Sequence, residues 1–202
     1  ETNGRLPKIK VFVDSPLSTN ATEIMKNHPE CYNKKVLDYM KVDSDPFGFN
    51  RLKYVRDVEE SKMLNELKEP CIIISASGMM EAGRILHHLK NNITDKKNTI
   101  LVVGYCAPST LGHKIARGDT KVKIYGIEYP VEADVRTMDE YSAHGDYKEM
   151  IEYLGCQDPM KVKEMYLVHG EYEVQQSYRE KLADAGFSNI RIPDLNSEYL
   201  IK

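Results

Sequence analysis

Two apolar runs of similar design constrain the fold more than any other feature of the sequence. The run C-I-I-I-S follows Pro70, and the run T-I-L-V-V-G-Y begins at Thr99. Both are short and continuous, and the first is of the kind that is buried on both faces in a parallel sheet. Each run breaks at small residues and then leads into a helical pattern, the second of which ends at Gly118. A strand, a small-residue turn and a helix occurring twice in succession predict an α/β fold with a doubly wound, mostly parallel sheet.

Further strands and helices are predicted before and after this pair. K-I-K-V-F-V alternates like a strand and stops at Asp14, and Asp57 with Glu60 forms a predicted capping box for the next helix. K-V-K-I-Y-G-I-E and V-E-A-D-V-R-T-M are alternating strands that we expect to form a hairpin joined near Tyr129 and Pro130. The remaining pattern predicts helices Tyr147–Leu154 and 172–185, strands 165–168 and 189–192, and a last strand S-E-Y-L-I-K.

Composition and charge narrow the class of protein. The chain has 202 residues, of which 41% are hydrophobic and 29% charged, with a formal net charge of −3. Binding of a polyanion must therefore depend on local patches such as Lys96 and Lys97 or residues 117–123. No apolar run approaches membrane-spanning length, and E-T-N-G-R does not resemble a signal peptide. Four scattered cysteines without a C-x-x-C pair favour a cytosolic protein without disulfides, and the early first strand suggests a piece of a longer protein.

The turn S-A-S-G-M-M after the first apolar run has two interpretations. A Ser/Gly turn that enters a helix leaves backbone N–H groups unpaired, and these can bind a phosphate together with the hydroxyls of Ser75 and Ser77. Alternatively, Gly78 serves a tight turn and the serines cap the helix. The second turn, G-Y-C-A-P-S-T-L-G, is equally open. Neither matches G-x-x-x-x-G-K-[ST] or a clean G-x-G-x-x-G, and no G-x-S-x-G is present, so a conventional nucleotide site and a nucleophile elbow are not expected.

Two histidines at successive strand ends are the candidates for chemistry. His144 lies in Y-S-A-H-G-D and His169 in L-V-H-G-E, so each is next to a glycine and near a carboxylate, Asp146 or Glu171. Catalysis or metal binding needs an imidazole held by such a partner. We expect Asp146 to orient His144 or to cap the next helix. We expect His169 to end a buried strand, where a metal or carboxylate would satisfy its ring; a structural role for both is the alternative.

The histidines do not complete a metal site by themselves. A zinc site needs three or four protein ligands, but the sequence contains neither H-x-H nor H-E-x-x-H. His88 shares with Arg84 a helix face that differs from the inward-facing one, and it shows no ligand spacing. If His169 binds a metal, most of the other ligands must come from outside this chain.

Seven ordered blocks of the sequence resemble β-CASP nucleases, the RNA- and DNA-processing members of the metallo-β-lactamase superfamily. The blocks are V-F-V-D-S-P-L-S, E-E-S-K-M-L-N, I-I-I-S-A-S-G-M-M-E-A-G-R-I-L-H-H-L, K-K-N-T-I-L-V-V-G-Y, T-L-G-H-K-I, Y-S-A-H-G-D and L-V-H-G-E. The resemblance covers nearly the whole chain. It implies that residues 1–139 are the β-CASP module, without its first helix, and that residues 140–202 are the C-terminal part of the metallo-β-lactamase αββα fold.

The resemblance also implies roles for individual residues. His144 matches the histidine that donates a proton to the leaving oxygen, with Asp146 beside it, and His169 matches a ligand of the second zinc. The residues expected to contact RNA phosphates are Ser75, Ser77, Gly78, Thr110 and Ser142. The H-x-H-x-D-H signature, the bridging Asp and a further carboxylate of the family would lie N-terminal to this segment. Ser109 replaces the glycine that often precedes T-L-G, which affects the expected backbone contacts there.

The implied mechanism for the complete protein is hydrolysis of a phosphodiester bond by two zinc ions with His144 as the general acid. We expect this chain alone to be inactive and to bind zinc weakly or not at all. The expected partners are single-stranded RNA, the missing metallo-β-lactamase half and a second copy. The alternative is a non-catalytic α/β module that binds nucleotides or RNA. The sequence does not distinguish endonuclease from exonuclease activity, or RNA from DNA.

Overall fold

The computed structural model of the protein describes residues 7–138 and 144–200. Its strands are β1 (Lys10–Asp14), β2 (Leu52–Tyr54), β3 (Cys71–Ser75), β4 (Thr99–Val103), β5 (Lys121–Ile124), β6 (Ile127–Pro130), β7 (Asp134–Met138), β8 (Met165–Tyr166) and β9 (Ile190–Arg191). Its α-helices are α1 (Pro16–Lys26), α2 (Lys34–Tyr39), α3 (Val58–Leu64), α4 (Ile85–Asn92), α5 (Leu111–Ala116), α6 (Tyr147–Leu154) and α7 (Tyr172–Asp184). The chain forms two compact units, Glu1–Tyr141 and Ser142–Lys202. No helix among the described residues is long and apolar enough to cross a membrane.

A three-stranded parallel ladder in the order β2-β1-β3 lies at the start of the first unit. Phe12 is paired with Ile73, and Asp14 with Ser75, so β1 and β3 end at the same edge. Phe12, with Val55 and Leu64, forms a small apolar cluster on one side of this ladder. The predicted α/β fold with parallel strands is therefore confirmed.

A second parallel ladder joins β4 to β7 and belongs to the larger apolar core. Val102 of β4 packs there with Leu89 and Ile93, which belong to α4 and its C-terminal cap. Ile115 of α5 and Ile124 of β5 complete the buried part of this core. Since α4 also contributes His88 to contacts with β1, this helix connects the two ladders.

The hairpin expected near Tyr129 and Pro130 was wrong in its position. The structure pairs β5 with β6 and turns at Tyr125 and Gly126, whose φ angles are +51° and +78°. Two consecutive residues with positive φ form the tight connection that matches the twist of antiparallel strands. The segment V-E-A-D-V-R-T-M instead supplies β7, which is parallel to β4.

The expectation that C-I-I-I-S is buried on both faces was also wrong. Ile73 packs in the core, but Ile72 and Ile74 are 42% and 52% exposed. Successive side chains of a strand point to opposite faces. The face that carries Ile73 is covered at both strands, whereas on the opposite face Val11 of β1 is buried but Ile72 and Ile74 of β3 are exposed to solvent.

The second unit contains α6, α7 and a short parallel pair, β8 with β9. Helix Tyr147–Leu154 has the predicted bounds, whereas the predicted strands 165–168 and 189–192 are two residues long. Residues 197–200 form no strand, so the predicted last strand is not found among the described residues.

Candidate functional site

Two turns at strand ends meet in the first unit. The first, residues 75–79, follows β3, and the second, residues 106–110, follows β4. The Cys106 thiol donates to the Gly78 carbonyl at 3.4 Å, and the Gly112 N–H donates to the Met79 carbonyl at 3.0 Å. We call these two segments the turn pair. The structure thus brings together the two loops in which the sequence placed Ser75, Ser77, Gly78 and Thr110.

The two turns differ in exposure, since Thr110 of the second turn is buried and Gly78 of the first turn is exposed. The Thr110 hydroxyl donates to the Ala107 carbonyl at 2.7 Å and caps α5 by accepting from the His113 N–H at 3.3 Å. Thr110 is buried, so its side chain serves the turn itself. Gly78 is exposed, and a methyl group added there would meet no atom within 4 Å. An incoming group can therefore approach the backbone at Gly78.

A buried cluster of charged and polar side chains lies directly behind the first turn. Asp14 is 0% exposed. Its carboxylate accepts from the Ser61 hydroxyl at 2.6 Å, from Arg84 Nη1 at 2.5 Å and from His88 Nε2 at 2.6 Å. The Ser75 hydroxyl donates to the backbone carbonyl of Asp14 at 2.9 Å. We call Asp14, Ser61, Asn65, Arg84 and His88 the Asp14 cluster.

The pKa of Asp14 reflects two opposing effects. Burial alone raises the pKa because it removes the charged carboxylate from water. Hydrogen bonds from Ser61, Arg84 and His88, together with the positive charge of Arg84, more than offset this effect. The net result is a pKa below the ordinary value of 3.8, so Asp14 is a carboxylate at neutral pH.

Sequence reasoning missed the Asp14 cluster as a unit. It assigned Arg84 and His88 to one helix face, which is correct, but it gave that face no partner. His88 is only 5% exposed and contacts Asp14, which is 74 positions away in the chain. The available signal was an acidic residue at a strand end together with Arg and His four residues apart on one helix.

In the second unit, His144 is exposed and stands two residues before Asp146, the N-cap of α6. Asp146 is the N-cap of this helix, and its carboxylate accepts from the N–H groups of Lys148 at 2.8 Å and Glu149 at 2.9 Å. Glu149 completes a capping box by accepting from the Asp146 N–H at 3.0 Å. The structure therefore gives Asp146 the capping role, which was one of its two predicted roles. Ser142 lies outside the described residues.

His169 does not have the buried surroundings that the sequence suggested. The strand β8 ends at Tyr166 and is half-buried, and His169 itself is exposed. Its φ is +69°, and its carbonyl accepts from the Gln175 side chain at 3.3 Å. A left-handed conformation is uncommon for a residue other than glycine, and it often marks a turn with a functional role.

The described residues do not fit a complete metal site. Within residues 7–138 and 144–200, no three His, Cys, Asp or Glu side chains form a group that could hold a metal ion. Since a zinc site needs three or four protein ligands, His169 can be at most one member of a site that other residues complete.

Two family models match the sequence. A model described as Beta-Casp domain matches residues 1–115, and a model described as Zn-dependent metallo-hydrolase RNA specificity domain matches residues 128–193. The chain belongs to the β-CASP family of metallo-β-lactamase nucleases, as the resemblance predicted.

Named relatives are similar over most of this chain. Ribonuclease TTHA0252 of Thermus thermophilus is 33% identical over 84% of this chain and 38% of the relative. The RNase J-like protein of Methanocaldococcus jannaschii is 31% identical over 84% of this chain and 37% of the relative. Transcription termination factor FttA of Cenarchaeum symbiosum is 30% identical over 95% of this chain and 30% of the relative. The chain therefore spans less than two-fifths of each of these relatives.

Proposed function

We propose that this chain is part of a zinc-dependent ribonuclease that hydrolyses phosphodiester bonds in single-stranded RNA. Three things support this function: the two family models, the relatives named as ribonucleases, and the open backbone of the turn pair. The turn pair carries most weight, because the open backbone at Gly78 and the hydroxyl of Ser77 lie beyond the carboxyl end of a parallel strand, where α/β sheets bind their ligands. The chain would supply the RNA-binding surface, a general acid and one metal ligand.

The proposed RNA contacts are made by the first turn and by Ser142. Ser77 and Gly78 contribute hydroxyl and backbone groups, and the exposed surface at Gly78 admits a phosphate. Ser75 is held by its bond to the Asp14 carbonyl, so it contributes to the shape of the turn as well. Thr110 acts through the second turn, whose shape it fixes by donating to the Ala107 carbonyl.

His144 is the proposed general acid, and its exposed position just before α6 supports access to a substrate. Asp146 would position His144 by fixing the start of the helix two residues away. A proton donor to the leaving oxygen typically contributes about 10²- to 10⁴-fold in rate. In the full-length protein, His144→Gln should therefore lower kcat by about 10²- to 10⁴-fold with little change in RNA affinity.

His169 is the proposed ligand for one of two zinc ions in the full-length protein. Its remaining coligands would come from the N-terminal metallo-β-lactamase half, so we expect this chain alone to bind zinc weakly or not at all. When bound, zinc would supply an activated hydroxide and neutralise charge on the scissile phosphate. Two tightly bound zinc ions in the isolated chain, measured by atomic emission, would contradict this division of ligands.

The decisive experiment compares RNA binding with RNA cleavage by this chain. A fluorescein-labelled oligouridylate of about ten nucleotides should bind, and it should remain intact in the same sample by gel electrophoresis. Cleavage by this chain alone would overturn the proposal that it supplies only part of the active site, and the absence of binding would overturn the RNA function. We propose that the full-length protein acts in the cytoplasm and as a homodimer.

A second candidate is a non-catalytic α/β module that binds RNA or nucleotides. The capping box favours it, because Asp146 then has a purely structural role in α6. In that case the Asp146→Ala variant should lose about 1 kcal/mol of stability with the cap, and the full-length protein should bind RNA without cleaving it. A change in the pH dependence of kcat in Asp146→Asn would favour the nuclease.

A further inference from the structure

We propose that Asp14, Arg84 and His88 form a buried charged unit in which His88 is an imidazolium, and that this unit positions the turn 75–78 and supplies one net positive charge behind it for an RNA phosphate. The proposal rests on the RNA-binding function proposed above for this turn. It adds three residues that do not touch the RNA but act through the turn.

First, the hydrogen bonds around His88 fix the orientation of two amide side chains, those of Asn92 and Asn65. Asn92 Nδ2 lies 2.9 Å from the backbone carbonyl of His88, which can only accept, so this atom must be the donating nitrogen. The same nitrogen lies 3.2 Å from Asn65 Oδ1, which must therefore be an acceptor. Asn98 Nδ2 donates to Asn92 Oδ1 at 3.2 Å, which agrees with this orientation.

The second step is the protonation of the His88 ring. Nδ1 lies 3.0 Å from Asn65 Oδ1, and Nε2 lies 2.6 Å from the Asp14 carboxylate. Both partners are acceptors, so both ring nitrogens must donate. A neutral ring would place a lone pair against one of these oxygens, which is costly in a buried site.

The third step is the charge of the unit. The charged groups that face His88 are Asp14, from β1, and Arg84, from the start of its own helix. Helix α3 contributes Ser61, and its C-terminal cap is Asn65; both are uncharged. One carboxylate against two cations leaves one net positive charge in a region from which water is largely excluded. Salt and water screen such a charge less than they screen the charge of a surface lysine.

The fourth step connects this charge to the turn. Ser75 donates to the Asp14 carbonyl at 2.9 Å, and the Ala76 carbonyl accepts from the Ile85 N–H at 3.2 Å. The Ser77 N–H donates to the Ala82 carbonyl at 3.0 Å. Arg84 lies between these two anchoring residues, so the charged unit and the turn are attached to the same short segment. The charged unit is therefore anchored directly next to the turn where a phosphate would bind.

Ring protonation can be measured directly in the wild-type chain. Long-range proton–nitrogen spectra of a sample with labelled histidine distinguish an imidazolium from a neutral ring, and loss of one set of signals in His88→Gln identifies His88. We expect both ring nitrogens of His88 to carry a proton at neutral pH. A His88 ring with a single proton would overturn the proposal. This result does not depend on whether the chain binds RNA.

The variant Asn65→Asp separates charge from structure. It has the same shape, it keeps the acceptor for His88 and Asn92, and it cancels the net positive charge. Thermal stability should be unchanged or higher, while affinity for the oligouridylate should fall about three- to tenfold. The matched control is Asn33→Asp, since Asn33 caps α2 at an exposed site and aspartate caps equally well. The control should bind RNA as the wild type does.

Each outcome of this comparison is decisive. Wild-type affinity in Asn65→Asp would overturn the electrostatic role. A loss of stability larger than a carboxylate causes at an exposed helix C-terminus would overturn the imidazolium, because a carboxylate beside an imidazolium should stabilise the fold. Absence of RNA binding by the wild type would instead overturn the proposed function, and the ring spectrum would still decide the protonation of His88.

Discussion

Truncation of Asp14 to alanine should be among the most destabilising single changes in this chain. The carboxylate accepts one bond from Arg84, one from His88 and one from Ser61, and it is 0% exposed. Removing one partner of a buried ion pair leaves the other charges without compensation and typically costs about 3–5 kcal/mol.

Arg84 keeps other hydrogen bonds after the truncation, so the expected destabilisation lies in the lower part of this range. Its guanidinium also donates to the carbonyls of Val55 at 3.2 Å and Arg56 at 2.7 Å, so it keeps two partners after the truncation. His88 Nε2 loses its acceptor in a site where it is nearly inaccessible to water. We therefore expect the free energy of unfolding to fall by about 3–4 kcal/mol.

Urea denaturation followed by circular dichroism measures this change. Asp134→Ala is the matched control, because Asp134 pairs with Arg136 on an exposed surface and such pairs contribute little. An equal and small effect of both substitutions would refute the stabilising role of the Asp14 cluster.

The lowered pKa of Asp14 also sets the sign of its contribution to the pH dependence of stability. Because the pKa of Asp14 in the folded chain lies below its ordinary value of 3.8, its contribution to stability is complete above that pH and is lost as the pH falls through the folded pKa. Asp14→Asn, compared with the wild type in urea titrations at a series of acidic pH values, should show a weaker loss of stability below pH 3.8. Parallel curves for the two proteins would contradict this assignment.

Three further predictions concern the turn pair and the cysteines. Gly78→Ala should leave the urea midpoint unchanged, because the added methyl meets no atom within 4 Å, but it should weaken RNA binding severalfold; unchanged affinity would argue against phosphate binding there. Gly112→Ala should lower the free energy of unfolding by about 1–3 kcal/mol in the same titration. The added Cβ would lie 2.7 Å from Cys106 Sγ and 3.1 Å from the Met79 carbonyl. A neutral effect would show that the two turns are not tightly packed. Burial raises the pKa of the Cys106 thiol, so iodoacetamide should modify exposed Cys156 well before Cys106 by mass spectrometry, and the reverse order would contradict the placement of Cys106 in the core.

The sequence pattern correctly predicted the strands and helices that form from interactions between residues close together in the chain. The apolar runs at Cys71 and Thr99 are strands β3 and β4, and α6 has the bounds that its amphipathic pattern and capping residues predicted. The hairpin was placed wrongly because alternation alone does not mark where a strand turns. The Tyr125-Gly126 pair, with two positive φ angles, carried that information.

Long-range pairing was beyond the reach of sequence periodicity. The contact between Asp14 and His88 depends on the parallel pairing of β1 with β3 and on the position of α4 behind both. Periodicity gave the helix face of His88 but not the group opposite to it. His169 was misjudged for a similar reason, since an apolar run after Glu164 suggested a buried strand, whereas the ladder ends at Tyr166.

The central claim is that the turn pair forms the RNA-binding surface of the first unit. Backbone amide spectra of this chain, recorded during titration with the oligouridylate, test it most directly. We predict the largest shift changes at residues 75–79, with smaller changes in the adjoining turn at 106–110. Saturable RNA binding that leaves both segments unperturbed would contradict it.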